Sequence, residues 1–333
     1  MTAPRRRGPR TGAWLEERSF HAWLARALPS GANGRLPLGD DAAAVPLRPG
    51  EVAVVSTDAV VEGTHFLPGS PARSVGRAAS AVSLSDVAAK GARPLAVFLA
   101  IVVPRGTPAR WAQELVRGAE GEAAEFGAHV LGGDTKPGPV RTVVSTVVGG
   151  ARPAELVGRT GARPGEVLVT TGQVGRGGAA AAGLHGRGPL SARAVVELLH
   201  VRPRVREGRA LGRFASAMLD TSDGLAESAR LLAAASRVRL IVEERALPLV
   251  PSLRRLAPGR RRNTAAFYGG DYELLATVPR ARLPDAARAV RAAGGTLTPV
   301  GHVVRGRGAL LLTGRRLEPM PRSRWRPFGR PMP

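Results

Sequence analysis

Several short stretches of this chain place aspartate beside glycine or at the end of an apolar run. Asp40 and Asp41 follow Gly39, Asp58 closes VAVVSTD, Asp134 closes VLGGD, and Asp220 and Asp223 bracket the centre of LDTSDGL. Asp271 follows Gly269 and Gly270, and Asp86 lies in SLSDVAAKG. A carboxylate at a strand end next to glycine can face a ligand, because the scaffold fixes the acid and glycine admits a bulky group. Each aspartate alone has a plainer account as a turn residue or helix cap; Asp223, ahead of GLAESARLL, is one example. Together they would repel unless cations compensated them. Hard divalent cations take oxygen ligands, and magnesium shares itself between a few carboxylates and substrate phosphates. The pattern predicts a magnesium–nucleotide site with several metals.

The usual phosphate-binding signatures are missing. There is no GxxxxGK[ST] loop and no kinase-type lysine with an HRD set. The glycine-rich run TTGQVGRGGAAAAGL (170–184) follows a strand pattern and leads into a helix. It reads equally as a phosphate cradle at a helix N-terminus or as a tight strand-to-helix turn.

Elements that would carry these residues follow from periodicity. Residues 14–28, 73–92 and 108–126 read as helices; 51–58, 95–103, 128–134 and 140–150 read as strands. A Gly- and Pro-bearing stretch at 157–166 reads as a linker. Beyond it, strands near 165–172, 217–220, 238–243, 272–278 and 309–312 alternate with helices near 191–200, 204–217, 223–236 and 284–294. This is an α/β alternation. The expected partition is a basic tail over 1–12, an N-terminal domain over 13–152 and a C-terminal domain over 153–333.

Composition narrows the function classes. The chain has 333 residues, 44% hydrophobic and only 4% aromatic, so aliphatic side chains and alanine must fill its core. With no cysteine, disulfides, thiolate metal sites and cysteine nucleophiles are excluded. The longest apolar run, LAVFLAIVV, has strand length and cannot span a membrane. No apolar segment of a signal peptide follows the basic N-terminus, so the expected location is cytoplasmic. The net charge of +23 raises nucleic acid as a partner. Against that, nearly all the charge is arginine, dispersed and without interleaved aromatics, so nucleic acid is disfavoured.

The ordered motifs GDDAAAV (39–45), STDAVVEGTHF (56–66), SLSDVAAKGARP (83–94), LGGDT (131–135), GRTGARPGE (158–166), LDTSDGL (219–225) and YGGDYELL (268–275) span about residues 38–330. As a set, they resemble the thiamine-monophosphate kinases, of the superfamily that includes aminoimidazole-ribonucleotide synthetase. The resemblance implies a two-domain α/β (α+β) fold. Its N-terminal sheet domain would bind ATP and magnesium and form a homodimer interface, and the C-terminal domain would be α/β. It implies ATP-dependent phosphorylation of thiamine monophosphate to thiamine diphosphate by magnesium-assisted in-line transfer, with no general base. By motif, Asp41, Ser56, Thr57, Asp58, Asp86, Asp134, Asp220 and Asp223 look like magnesium ligands. Gly133, Asp134, Arg159 and Ser222 look like ATP contacts, and His65, Asp271 and Trp325 look like substrate contacts. Two departures stand out. The family's usual GGEDYEL is GGDYEL here, one acid short, and Lys90 stands where the family often has methionine. Open alternatives are another ATP-using enzyme of the superfamily, a degenerate nucleotide-binding paralogue motivated by the missing acid, and a basic nucleic-acid-binding protein. Superfamily members that depend on a cysteine or selenocysteine are disfavoured by the absence of cysteine.

Overall fold

The computed structural model describes residues 14–28, 42–184, 199–256, 263 and 266–321. Asp40, Asp41, Trp325 and most of the helix expected over 191–200 lie outside these residues.

After helix α1 (Glu17–Ala27), four strands build the first sheet: β1 (Val52–Val61), β2 (Arg93–Val103), β3 (His129–Pro137) and β4 (Thr142–Ala151). Their spatial order is β1-β4-β2-β3. β4 runs antiparallel to both β1 and β2, whereas β3 runs parallel to β2. A parallel neighbour needs a long crossover, supplied by helix α3 (Ala109–Ala124), while α2 (Ala72–Ala88) connects β1 to β2. Strand residues alternate between the two faces. Val54, Ser56, Asp58 and Val60 of β1 share a face with Val143, Ser145 and Val147 of β4 and with Leu99 and Ile101 of β2. On this face α2 and α3 close the core, with Val60, Val143, Val147, Leu99 and Ile101 all buried. Alanines such as Ala78, Ala79, Ala112 and Ala119 let the two helices approach each other and the sheet, which answers the shortage of aromatics. The opposite face carries Val55, Thr57, Phe98, Val144 and Val148. It remains accessible among the described residues, and Val55 is 59% exposed.

The second sheet has seven strands in the order β11-β10-β7-β9-β5-β8-β6. They are β5 (Val167–Thr171), β6 (Ala217–Asp220), β7 (Arg239–Glu243), β8 (Leu274–Val278), β9 (Leu297–Val304), β10 (Gly308–Thr313) and β11 (Arg316–Pro319). All described pairings are antiparallel except β10 with β7. Between the strands lie α4 (Arg176–Leu184), α5 (Val205–Gly212), α6 (Leu225–Ser236), the short α7 (Pro251–Arg254) and α8 (Leu283–Ala292). One core joins α6 to this sheet through Leu225, Ala229 and Leu232. A second core joins α5 and α8 to it through Leu211, Ala286 and Val290. β5 and β8 are buried along their whole length, as strands covered on both faces must be.

The α/β class expected from the sequence is the observed one. Strands β9 and β11 were not anticipated, because LTPVGHVV carries Pro and Gly inside its pattern. Among the described residues, no helix is long and apolar enough to cross a membrane.

Candidate active site at the junction of the two sheets

Helix α2 joins the two halves: besides covering the first sheet, it packs on α5 and on the end of β6. Its Ser85 and Asp86 are consecutive, so a helix that faces both halves presents them to two different partners. Ser85 Oγ donates to Asp220 Oδ2 at 2.8 Å, across the junction. Ser56 Oγ of β1 donates to Asp86 Oδ2 at 2.5 Å, and Asp58 hydrogen-bonds the same Asp86 carboxyl. Ser222 Oγ donates to the other Asp220 oxygen at 3.0 Å.

These aspartates raise one another's proton affinity. Asp58 is pushed up to about 7, first by burial, then by the negative charges of Asp86, Asp220 and Asp223 and by its hydrogen bond to Asp86. Asp220 is pushed up to about 6 by burial and by Asp86, against the opposing effect of its serine donors. Lys90 is the nearby cation. Its Nζ donates to the Met218 carbonyl at 3.1 Å, and burial and the neighbouring Arg159 hold its pKa below the ordinary value. Among the described residues, no three acidic or histidine side chains converge on one point as a closed metal site would. The carboxylates are close enough to feel one another and all offer hard oxygen donors, short of positive charge. That donor set suits a hard divalent cation and suits no soft metal.

A loop carrying Tyr268 to Asp271 forms the other side of the site. Gly270 N–H donates to the Ser222 carbonyl at 2.7 Å. Gly224, at φ +91°, is required here, since a Cβ would stand 2.6 Å from the Phe267 carbonyl oxygen and 2.7 Å from that of Tyr268. The residue after Asp271, Tyr272, holds a left-handed φ of +55° and packs against the core of the first half. Glu273 then accepts from Arg204 Nε at 2.7 Å and from Thr171 Oγ1 at 2.8 Å, tying the loop to β5 and to the start of α5.

Asp271 is 3% exposed, and its two oxygens accept the backbone N–H groups of Gly175 and Gly177 at 2.7 and 3.0 Å. It caps the N-terminus of α4. Of the two readings of TTGQVGRGG, the tight strand-to-helix turn is the observed one, and the chain's own carboxylate occupies that helix end.

The remaining expected residues divide by strand parity. Ser56 and Asp58 point to the helix-covered face, so Thr57 between them points away, where its Oγ1 meets Thr146 Oγ1 at 2.9 Å. Asp134, opposite Ala100 in register, also belongs to the uncovered face and to the far edge strand. Three strand spacings separate it from β1, about 14 Å. Its partners are Lys136 Nζ at 2.9 Å and the Thr135 N–H, and Lys136 holds its pKa below the usual range. Within one chain, the seven expected ligands among the described residues therefore do not form a single cluster. Gly133 has a steric reason to be glycine, since a Cβ would fall 1.9 Å from the Leu99 carbonyl oxygen. Arg159 is an exposed loop residue whose carbonyl accepts from Ser236 Oγ at 3.0 Å. His65 sits just past β1, its Nδ1 accepting the Val61 N–H at 3.1 Å, and partial desolvation keeps its pKa below the ordinary value. Ser85 was missed as a site residue. Its position next to Asp86 was the available signal, but its role depends on β6 arriving from the other half.

The N-terminal domain of AIR synthase related proteins matches residues 39–151, and the C-terminal domain of the same proteins matches residues 163–312. Fold and site thus define a two-domain protein of the AIR-synthase-related class. A thiamine-monophosphate kinase of Halobacterium salinarum is 38% identical, the alignment covering 83% of this chain and 91% of that one. The crystal structure of the thiamine-monophosphate kinase of Stenotrophomonas maltophilia superposes with a TM-score of 0.77 at 29% identity, covering 90% of this chain and 97% of that one. AaThiL, solved as a complex with AMPPCP and TMP, superposes with a TM-score of 0.68 at 25% identity, covering 80% of this chain and 86% of that one. Within the class, the chain belongs to the thiamine-monophosphate kinase family.

Proposed function

We propose that this protein transfers the γ-phosphoryl group of ATP to thiamine monophosphate, giving thiamine diphosphate and ADP. The observation that carries the reading is the carboxylate group Asp58, Asp86 and Asp220, assembled from both halves of the molecule and linked through Ser56 and Ser85. The family relationship and the AaThiL complex with AMPPCP and TMP support the choice of substrates.

The nucleophile is an oxygen of the substrate phosphate, whose second pKa of about 6 leaves it largely ionised at neutral pH. No general base is needed, and the difficulty is to bring two anions together. Asp58, Asp86, Asp220 and Asp223, with the Ser56 hydroxyl and Asp41, are the residues that would hold magnesium. When bound, magnesium neutralises phosphate charge and aligns the in-line attack. The chain itself contributes position. Ser85 and Ser222 fix the Asp220 carboxylate from two sides, and the glycine loop holds the strand end and the start of α6 at fixed separation. His65 and Trp325 would contact the substrate, and Gly133, Arg159 and Ser222 the nucleotide.

The reading includes a cytoplasmic homodimer, with 13–152 as the ATP-, magnesium- and dimer-forming domain. The accessible apolar face around Val55, Phe98 and Val144 supports the dimer. Thr57 and Asp134 border that face, so their expected magnesium contacts would be made beside the dimer partner. The test is magnesium-dependent ADP release with thiamine monophosphate, thiamine and the aminoimidazole-ribonucleotide precursor offered separately. Release with thiamine monophosphate alone is expected. Release with the aminoimidazole precursor instead would overturn the substrate, and release with none would leave a nucleotide-binding paralogue.

A further inference from the structure

A cleft of about 550 Å³ lies between the two halves, and none of Asp58, Asp86, Asp220 and Asp223 lines it. Its walls are the start of β1 and β2, the end of β4, and helices α5 and α8. Asp58 of β1 lies seven residues from Glu51 at the cleft, about 23 Å in an extended chain. The volume falls within the range of small-ligand sites.

Its lining is arginine. Arg206 and Arg209 come from α5 and Arg213 from its C-terminal end; Arg48, Arg93 and Arg152 face them from the first half. The acids present are Glu51 and Glu155, leaving an excess of four positive charges. Glu51 is already engaged by Arg93 at 3.0 Å. Among the described residues, no carboxylate or carbonyl lies within bonding distance of the guanidiniums of Arg48, Arg152, Arg209 or Arg213. Arg209 meets Arg93, Arg213 and Arg48 as like charges, and this, after desolvation, holds its pKa below the ordinary value. Elsewhere, arginines such as Arg77, Arg141 and Arg204 are paired, with Glu122, Glu62 and Glu273. Here the two halves bring together in a concavity the guanidiniums of Arg48, Arg152, Arg209 and Arg213, which have no such partner among the described residues, beside Arg206, which donates to the Glu125 carbonyl at 3.2 Å. Guanidinium forks suit phosphate oxygens in bidentate geometry.

We propose that this cleft is a second anion site that binds an oligophosphate group, distinct from the junction where phosphoryl transfer takes place. The chemistry fits either a free inorganic polyphosphate or the phosphate tail of a nucleotide.

The test uses the full-length protein in EDTA, so that binding is read without turnover and independently of the kinase reading. Inorganic tripolyphosphate and ADP are titrated by calorimetry at physiological salt. The site variant is Arg209→Ala with Arg213→Ala. The charge-matched control is Arg105→Ala with Arg315→Ala, both exposed and remote from the cleft. The site variant should weaken tripolyphosphate at least about tenfold, since two charge-assisted hydrogen bonds are lost, while the control shifts it far less. Sensitivity of tripolyphosphate alone assigns a free polyphosphate; tighter, equally variant-sensitive ADP binding assigns a nucleotide tail. Equal weakening in both variants would reduce the effect to general attraction by a basic protein and overturn the proposal. The melting temperature gives an independent check. Without anion, the site variant should melt at or above the wild type, because like charges have been removed. A fall of several degrees would make the arginines structural and would also overturn it.

Discussion

Asp271 sets burial against helix capping, and the outcome can be measured. Burial pushes its pKa up from 3.8 to about 7, opposed by the N–H groups of Gly175 and Gly177 and by Arg176. A carboxyl whose folded pKa is raised costs nothing below its unfolded pKa. Between pH 4 and pH 7 the unfolded state ionises while the folded state stays protonated, so stability falls as pH rises. Three pKa units correspond to about 4 kcal/mol, of which about 2.5 kcal/mol falls between pH 5 and pH 8. Asp271→Asn cannot ionise, but it turns an amide NH2 toward one of the two N–H donors, a pH-independent cost of about 1–3 kcal/mol. Urea unfolding of both proteins at pH 5 and pH 8 isolates this group. The variant should gain about 2.5 kcal/mol on the wild type between pH 5 and pH 8. A variant that loses ground as pH rises would refute the reasoning. It would mean that two backbone donors and a helix N-terminus keep a fully buried carboxylate ionised.

Asp86→Asn, at the residue shared by Ser56 and Asp58, should lower ADP release at least about a hundredfold while circular dichroism and melting stay close to wild type; near-normal rates at saturating magnesium would remove Asp86 from the site. Gly224→Ala places a methyl against two backbone carbonyls at a positive φ and should cost at least about 2 kcal/mol in urea unfolding. Val144→Arg puts a charge in the accessible face of the first sheet, so sedimentation should move from twice the chain mass of 34.7 kDa toward the single chain; an unchanged dimer would place the interface elsewhere.

Much of the site was legible in the order of residues. The motif set pointed to the family, and the aspartates at strand ends were recognisable because a strand end beside glycine or a helix start is a local feature. The strand period of two also lay in the sequence: STD cannot send both Ser56 and Thr57 to the face that Asp58 occupies. Strand order was not local. Asp134 closes an apolar run of the sequence just as Asp58 does, yet both lie inside their strands, β3 and β1 are opposite edges of one sheet, and the side chains take opposite faces. Asp271 follows two glycines in a loop motif, but α4, ninety-odd residues earlier, takes both of its oxygens.

The sequence by itself determined the α/β class, most helices and most strands, the lack of thiol chemistry and the list of acids able to face a phosphate. These depend on periodicity and residue type, which are short-range properties of a chain. Only the tertiary structure decided which acids meet. Asp58, Asp86 and Asp220 are joined because α2 touches both halves, whereas Asp134 is paired with Lys136 and Asp271 is spent on a helix end. The arginine cleft arose in the same way, since residues 48, 93, 152 and 209 are neighbours only after two sheets have formed. Charge at a site falls off over a few ångströms, and only packing sets those distances.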